Sequence, residues 1–424
     1  MNLVLIPIEI PDREFQAKIK ILAQFLTQHG FTVLFGDQNY LLKLFPYCTN
    51  TVLIWKNINC SKTKSVIKYA QKNQYVLHHE EGFIDWHDEV IKNVDPDLFD
   101  KASYIFTWGD YQKTIYDREF KQNSSKVFTV GHPRLDLSVE HARPPIGNKR
   151  VRSILINSRF ANINHRLGVD YFTKSLGKYI GNHDLAQRIV NQASRDFEIF
   201  KNIIQYLDEK SNLDVVIRPH PSEDPRILRN RIGPLKNCRY ESGGDVNTAI
   251  HKADIVIANQ CHTQFEAALQ EKTVLVIRDP MVDEKTLTPW IDEISGHLVS
   301  CAADVESFLE LPLAPTINKQ IIIENPTICT SALFETANIK SSVNEMLKYF
   351  QKLAVTSNFE PSQRLRVYLS LVSFINKLRK KLAGKNAEYY NSYTNKRIRR
   401  ELPTSRIDTV ISGRVWLMSK PQIK

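Results

Sequence analysis

The sequence predicts an α/β protein made of two doubly wound, Rossmann-like domains. Three observations carry this. Apolar strand-like runs alternate with helical periodicity over residues 3–130, a pattern that implies βαβ units and a parallel sheet. Pro144-Pro145-Ile146-Gly147-Asn148 then interrupts it, as a linker would. A second alternating series follows from Ser153 to Ile277.

Leu3–Ile8 is continuously apolar and reads as a buried strand. Phe15, Ile19, Leu22, Phe25 and Leu26 share one helical face over residues 13–29, and His29-Gly30 is a stop signal. Phe31–Phe35, Thr51–Trp55, Tyr75–His78, Tyr104–Thr107 and Lys126–Val130 read as further strands, with helices over Ser61–Lys72 and up to about Phe120. In the second half, strands are expected at Ser153–Asn157, Asp214–Arg218, Ile255–Ala258 and Thr273–Ile277. Helices are expected at Asp184–Lys210, Thr263–Gln270 and within 332–354. The expected domains are 1–143, 144–355 and a basic tail, 356–424.

The 424 residues carry a formal charge of +11. Residues 361–424 hold fifteen Lys and Arg against three acids, so the tail is +12 and the remainder −1. A neutral body argues against a nucleic-acid-binding domain, which needs a basic footprint. In the tail, Leu365, Leu369, Val372, Leu378 and Leu382 recur at near-helical spacing among Arg364, Lys377, Arg379, Lys380 and Lys381. Two readings stand: an amphipathic helix on an anionic membrane surface, or a solvated helix followed by a disordered basic end. No apolar run has the length to span a bilayer. The start lacks a basic n-region, and the six cysteines are scattered. A cytoplasmic protein with reduced thiols, at most peripheral on the inner face of the plasma membrane, is expected.

Neither G-x-G-x-x-G nor a P-loop occurs, so a phosphate must be held by side chains and helix N-termini. His78-His79-Glu80-Glu81-Gly82 follows a strand; Glu80 and Glu81 suit a general base, although a bare Glu-Glu-Gly on its own reads first as a solvated acidic loop. Arg218-Pro219-His220-Pro221-Ser222-Glu223 follows another strand. Its prolines stiffen a turn that presents Arg218 and His220 as donors for a phosphate, the alternative being a rigid connecting loop with a capping Ser222. Asn259-Gln260-Cys261-His262-Thr263-Gln264-Phe265-Glu266 sets a polar turn before a helix. Thr263 and Glu266 form either a capping box or part of an anion site. Arg13 and Glu14, Gly131 and Arg134, and Asn157, Asn164 and His165 also lie near strand ends, where ligands bind in open α/β sheets. The histidines have no metal-ligand spacing, so no metal is expected. A Ser-His-Asp hydrolase is disfavoured because no G-x-S-x-G occurs.

An ordered set of segments resembles the bacterial surface carbohydrate biosynthesis protein family of capsule and lipopolysaccharide assembly. It runs from Ile6-Pro7-Ile8-Glu9 through Glu80-Glu81-Gly82, Phe106-Thr107-Trp108-Gly109, Val130–Asp136 and Ile154–Asn157 to Ile217–Glu223. The resemblance covers about residues 3–280. It implies a GT-B glycosyltransferase, two Rossmann-like domains facing a cleft, related to CMP-sugar-using sialyl- and Kdo-transferases. Glu80-Glu81-Gly82 then matches a motif for acceptor activation, with Glu81 as base and Glu80 as fallback. His220-Pro221 matches a motif at the donor phosphate, with Arg218, Ser222, His262, Thr263 and Glu266 around it. His262-Thr263 departs from the hydroxyl pair expected there. Arg13, Glu14, Gly131, Arg134, Asn157, Asn164 and His165 would line the acceptor side. No cofactor is implied beyond a nucleotide sugar, with a glycan or lipid-linked glycan as acceptor. Arg218-Pro219-His220-Pro221 is also compatible with CDP-glycerol- or CDP-ribitol-type polyol-phosphate transfer. A non-catalytic scaffold of a polysaccharide assembly complex is the remaining alternative.

Overall fold

The computed structural model describes residues 3–58, 62–70, 72–80, 91, 94–142, 150–259, 261–281, 296–310, 342–354, 406–411 and 415–419. They fall into two compact units.

The first unit holds β1 (Leu3–Ile8), β2 (Thr32–Asp37), β3 (Val52–Trp55), β4 (Gln74–His78), β5 (Tyr104–Thr107) and β6 (Val127–Thr129). They pair in parallel in the order β2-β1-β3-β4-β5-β6. β1 is buried along its whole length, as its unbroken apolar run requires. The first crossover is helical over Pro11–Phe15, π-helical over Gln16–Ala23 and α-helical again over Gln24–Gln28. It buries Phe15, Ile19, Leu22 and Leu26, four of the five residues the periodicity places on one face, while Phe25 is half-buried against the same core.

The end of the chain also belongs here, and this corrects two expectations. Helix Ser342–Ala354, expected in the second domain, buries Val343, Met346, Phe350 and Leu353 in the first unit's core. Phe350 packs edge-on against Phe31 and Phe106. Strands β13 (Arg406–Ile411) and β14 (Val415–Ser419) form an antiparallel pair that extends this sheet through β2. Trp416 lies opposite Phe35 and stacks on it, with ring centroids 5.7 Å apart. The basic tail therefore closes in a strand pair, because the apolar run Val-Trp-Leu-Met gains more from a sheet edge than from water. The amphipathic segment 365–382 lies outside the described residues. Among the described residues, no helix is long and apolar enough to cross a membrane.

The main stretch of the second unit runs from Leu135, ahead of the expected linker at 144–148, which lies outside the described residues. It contains β7 (Ser153–Asn157), β8 (Asp214–Arg218), β9 (Arg239–Tyr240), β10 (Ile255–Ala258), β11 (Thr273–Ile277) and β12 (His297–Val299). All are parallel, in the order β12-β11-β10-β7-β8-β9. Numbered from β7, this is 6-5-4-1-2-3, the Rossmann order. Helix His183–Asp208 packs Phe197, Phe200, Ile203, Ile204 and Leu207 into the core of this sheet. Two doubly wound, mainly parallel sheets in succession give the two-domain α/β architecture that the alternating pattern predicts.

Candidate functional site

In an open α/β sheet, ligands bind beyond the carboxyl ends of the strands where the strand order reverses. In the second unit that point lies between β7 and β10. β7 ends at Asn157, β8 at Arg218 and β10 at Ala258, so the expected residues of this half gather at one edge of one sheet.

The turn after β8 is built on Glu223. Its carboxylate is fully buried and accepts the main-chain N–H of His220 at 2.7 Å, the Ser158 hydroxyl at 2.8 Å and the Phe160 N–H at 3.0 Å. Burial pushes its carboxyl above the ordinary carboxylate range against the pull of these donors. Asn164 is wholly buried in the same bracket. Its carbonyl accepts the Asp224 N–H at 2.8 Å, and its side-chain oxygen accepts from Arg231 at 3.1 Å. Asn164 therefore clamps two loops, a different task from the cleft-lining one expected. His165 pairs with Glu223 as an isolated bridge.

Within the turn, the Ser222 N–H donates to His220 Nδ1 at 3.2 Å. Nδ1 is thereby an acceptor, and the proton of the neutral ring sits on Nε2. The Pro221 carbonyl accepts from the Arg166 guanidinium, and the Ser222 carbonyl from the Arg166 N–H. Arg218 donates to the Gly244 carbonyl at 3.1 Å, with Glu241 at 4.0 Å. Its guanidinium is thus held by the segment that follows β9.

The helix after β10 runs His262–Leu269 with Cys261 at its N-cap. Gln264 reaches back to accept the Cys261 N–H at 3.2 Å. The reach-back is made by Gln264 where sequence weighed a Thr263–Glu266 capping pair, because the N-cap falls at Cys261, two residues before Thr263. Thr263 is left at the second helical position. Its buried hydroxyl oxygen makes no hydrogen bond among the described residues, and neither does Nδ2 of Asn157 at the end of β7. His262 and Glu266 are both buried. The Asn259 side chain spans the switch point, accepting the Arg159 N–H at 3.1 Å.

The first unit reverses its order between β1 and β3, and there the expected residues form a buried network of charge. Glu14 accepts the Ile10 N–H at 3.0 Å and lies 2.8 Å from Lys18 Nζ and 2.6 Å from Lys56 Nζ. Lys18 Nζ also lies 2.7 Å from Glu80, and Arg134 reaches Glu80 at 3.7 Å. Burial alone would raise both carboxyls. The cationic neighbours, Lys18 foremost, outweigh it, holding Glu14 below and Glu80 well below the usual range. Lys56 is raised, its burial overcome by Glu14 and Glu80. Arg13 is half-buried and adds positive charge near Glu80. A cavity of about 10 Å³, lined by Lys18, Lys56, His78, Glu80 and His132 among others, has room for roughly one water.

His132 stacks on Trp108 with centroids 4.1 Å apart, and its Nδ1 accepts the Arg134 N–H at 3.2 Å. The two His-Pro pairs, His132-Pro133 and His220-Pro221, thus share one local geometry: Nδ1 accepts from the N–H two residues on. Burial pushes the pKa of His132 far down and that of His78 down to about 4, so both rings are neutral near pH 7. Gly131 accepts from His78 Nε2 at 3.0 Å. Its φ is +81°, and a Cβ there would stand 3.2 Å from Ser342 Cβ. Gly131 therefore serves conformation and packing. Glu81 and Gly82 lie outside the described residues.

Sequence reasoning did not single out Lys18, Lys56, Ser158, Glu223 or Asn259 as site residues. Lys18 stands four residues after Glu14, and Lys56 directly follows a strand; both signals were readable. Besides His220, the partners of Glu223 lie 59 to 65 residues away along the chain, beyond any local pattern.

No protein-family model matches the chain, and no curated protein does. Solved structures to which it is similar include the UDP-GlcNAc 2-epimerase of Methanocaldococcus jannaschii in complex with UDP-GlcNAc and UDP (12% identity, 83% of this chain and 100% of that one, TM-score 0.48). The wall teichoic acid polymerase TagF is similar at 9% identity over 83% of this chain and 88% of that one, TM-score 0.45. A glycosyltransferase from Rickettsia africae is similar at 12% identity over 84% and 98%, TM-score 0.44.

Proposed function

We propose that the chain is a glycosyltransferase of surface polysaccharide biosynthesis that takes its sugar from a nucleotide-activated, CMP-linked donor of the Kdo or sialic acid type. The observation that carries this is the His220 turn, locked by Glu223 at the carboxyl edge of a Rossmann-ordered sheet. In this reading the Nε2–H of His220, the Thr263 hydroxyl and the N-terminus of helix His262–Leu269 hold the donor phosphate. Arg218 adds positive charge nearby, and Asn157 supplies an amide donor. The acceptor hydroxyl oxygen attacks the anomeric carbon, the bond from that carbon to the phosphate oxygen breaks, and CMP leaves with the electron pair. The developing charge falls on the leaving phosphate, where fixed donors stabilise it most. Glu81 takes the hydroxyl proton.

Glu80 is the poorer base, because Lys18 holds it ionised at low pH and its proton affinity is small. Its part is to fix the charge of the segment leading into Glu81. The glycan acceptor falls to the first unit, with Arg13 and Arg134 as its cations. The basic segment 356–405 provides contact with an anionic membrane surface. The test is turnover of CMP-Kdo, CMP-sialic acid and CDP-glycerol, read as nucleotide release. Release of CMP from a CMP-sugar, lost in Glu81→Gln, supports the reading. Turnover of CDP-glycerol alone replaces it with polyol-phosphate transfer, with which Arg218-Pro219-His220-Pro221 is compatible. If Glu81→Gln and His220→Ala both leave glycan synthesis intact in cells, the scaffold reading takes its place.

A further inference from the structure

Six large apolar side chains are well exposed among the described residues, and three of them fall within five positions: Leu167 at 62%, Val169 at 37% and Tyr171 at 52%. Apolar groups scattered singly on a surface need no explanation, but a local group of them does. These three sit at the start of helix Val169–Ile180. The helix buries Gly177 and Ile180, while Asp170, Tyr171, Lys174, Ser175 and Lys178 are exposed. Tyr171, Lys174 and Lys178 follow one another at intervals of three and four, so they share a face. Arg166 is exposed just before Leu167. The segment thus offers an aliphatic tip, a tyrosine and three cations, with Asp170 as the opposing charge.

We infer that the segment from Arg166 to Lys178 docks the second unit on an anionic lipid surface, with Leu167, Val169 and Tyr171 entering the interface and Lys174 and Lys178 facing lipid headgroups. The charge balance and the mixture of side chains fit this partner. Aliphatic side chains enter the headgroup–acyl boundary, tyrosine prefers that boundary, and each basic residue near an anionic leaflet adds attraction. Gly168, at φ +91°, lets the chain turn between Leu167 and the helix. The tip is anchored to the turn that carries His220. The Arg166 N–H donates to the Ser222 carbonyl at 3.2 Å, its guanidinium bonds the Pro221 carbonyl, and Tyr171 stacks on His165 with centroids 5.4 Å apart. Contact with lipid at this tip therefore bears directly on the turn proposed to hold the donor phosphate. This deepens the proposed function by giving the membrane partner a second place of contact, in addition to the basic tail.

The test is co-sedimentation of the full chain with phosphatidylcholine vesicles and with mixed phosphatidylcholine–phosphatidylglycerol vesicles. The wild type is expected to bind the mixed vesicles. Leu167→Ser combined with Tyr171→Ser should weaken that binding about tenfold or more while the thermal melt is unchanged. Lys174→Glu combined with Lys178→Glu should weaken it as well and flatten its salt dependence. Leu167→Trp should add fluorescence that brominated lipid quenches, a signal the basic tail alone does not produce. An unquenched tryptophan at 167, wild-type binding by the Leu167→Ser/Tyr171→Ser variant, or no vesicle binding by the wild type would each overturn the inference. So would a change of mass in sedimentation velocity on the same substitutions without an effect on vesicles, since the tip would then be a protein–protein contact. Vesicle binding and CMP release are separate readouts, so the failure of either leaves the other standing.

Discussion

Glu223 accepts the main-chain N–H of His220 at 2.7 Å from a fully buried position. Its other oxygen takes the Ser158 hydroxyl and the Phe160 N–H. One carboxylate therefore joins the turn after β8 to the turn after β7 and sets the height of the histidine above the sheet.

Glu223→Gln keeps the shape but replaces one acceptor oxygen by a donor that faces N–H and O–H groups. A loss of about 1–3 kcal/mol in folding stability is expected, the range for an unsatisfied buried group. Urea denaturation measures it. Donor affinity should fall with it, since His220 loses its fixed height. A variant as stable as wild type would mean that the bracket is held by Asn164 and Arg231 instead.

The pair Lys18–Glu80, 2.7 Å apart and buried on both sides, should behave as a unit. Removing one partner strands the other charge, at a cost of about 3–5 kcal/mol for Lys18→Met or Glu80→Gln alone. The double variant Lys18→Met/Glu80→Gln should cost less than the sum of the two. A double-mutant cycle in urea reads the coupling; additive effects would show that Lys56 and Arg134 already satisfy Glu80.

Acid should weaken the first unit in two stages. Burial lowers the pKa of His78 to about 4 in the folded state, against about 6.5 unfolded. The unfolded chain therefore binds the proton more readily between these values, and stability is lost as pH falls through that window, by roughly 3 kcal/mol for this group. Glu14 and Glu80 are depressed in the fold. Their stabilisation is complete above the ordinary carboxylate pKa and is lost as pH falls below it. Urea midpoints from pH 8 down to about pH 2 check this. His78→Gln should make the upper stage shallower, leaving the share of His132, whose pKa burial also lowers, and should leave the lower stage in place; an equally steep upper stage in the variant would assign it wholly to His132 or another group.

Much of the fold was legible in the sequence. β5, β7, β8, β10 and β11 were placed to the residue, because each is a four- or five-residue, mainly apolar run bounded by polar or turn residues. β9, only two residues long, was not. Its pairing comes from the neighbouring β8, and no local pattern announces it. The hairpin at the end was hidden by charge, since +12 over 64 residues outweighs a single apolar tetrapeptide when composition is read by segment. At the site, the sequence marked the turns that carry His220 and Thr263 because strands end there. Glu223 and Gln264 lie within those same segments, but the links from Glu223 to Ser158 and Phe160 were not legible, since sheet topology brings them together.

The strand pair also changes what truncation does. Removing residues 361–424 deletes β14 with the tail, and Trp416, at 7% exposure on Phe35, leaves the core. Trp416→Ala alone should cost about 3–5 kcal/mol. Charge reversal at Lys380 and Lys381 therefore separates the tail's charge from its strand: it should leave the thermal melt unchanged, while Trp416→Ala lowers it. Equal melts for wild type and Trp416→Ala would remove β14 from the fold.

The central claim is that the His220 turn binds the donor phosphate, and calorimetric titration of CMP into the wild type and His220→Ala tests it most directly. The account predicts saturable binding by the wild type and a loss of roughly 10- to 100-fold in His220→Ala, the worth of one charge-assisted hydrogen bond, with an unchanged thermal melt. Equal CMP affinity in the two proteins would contradict it.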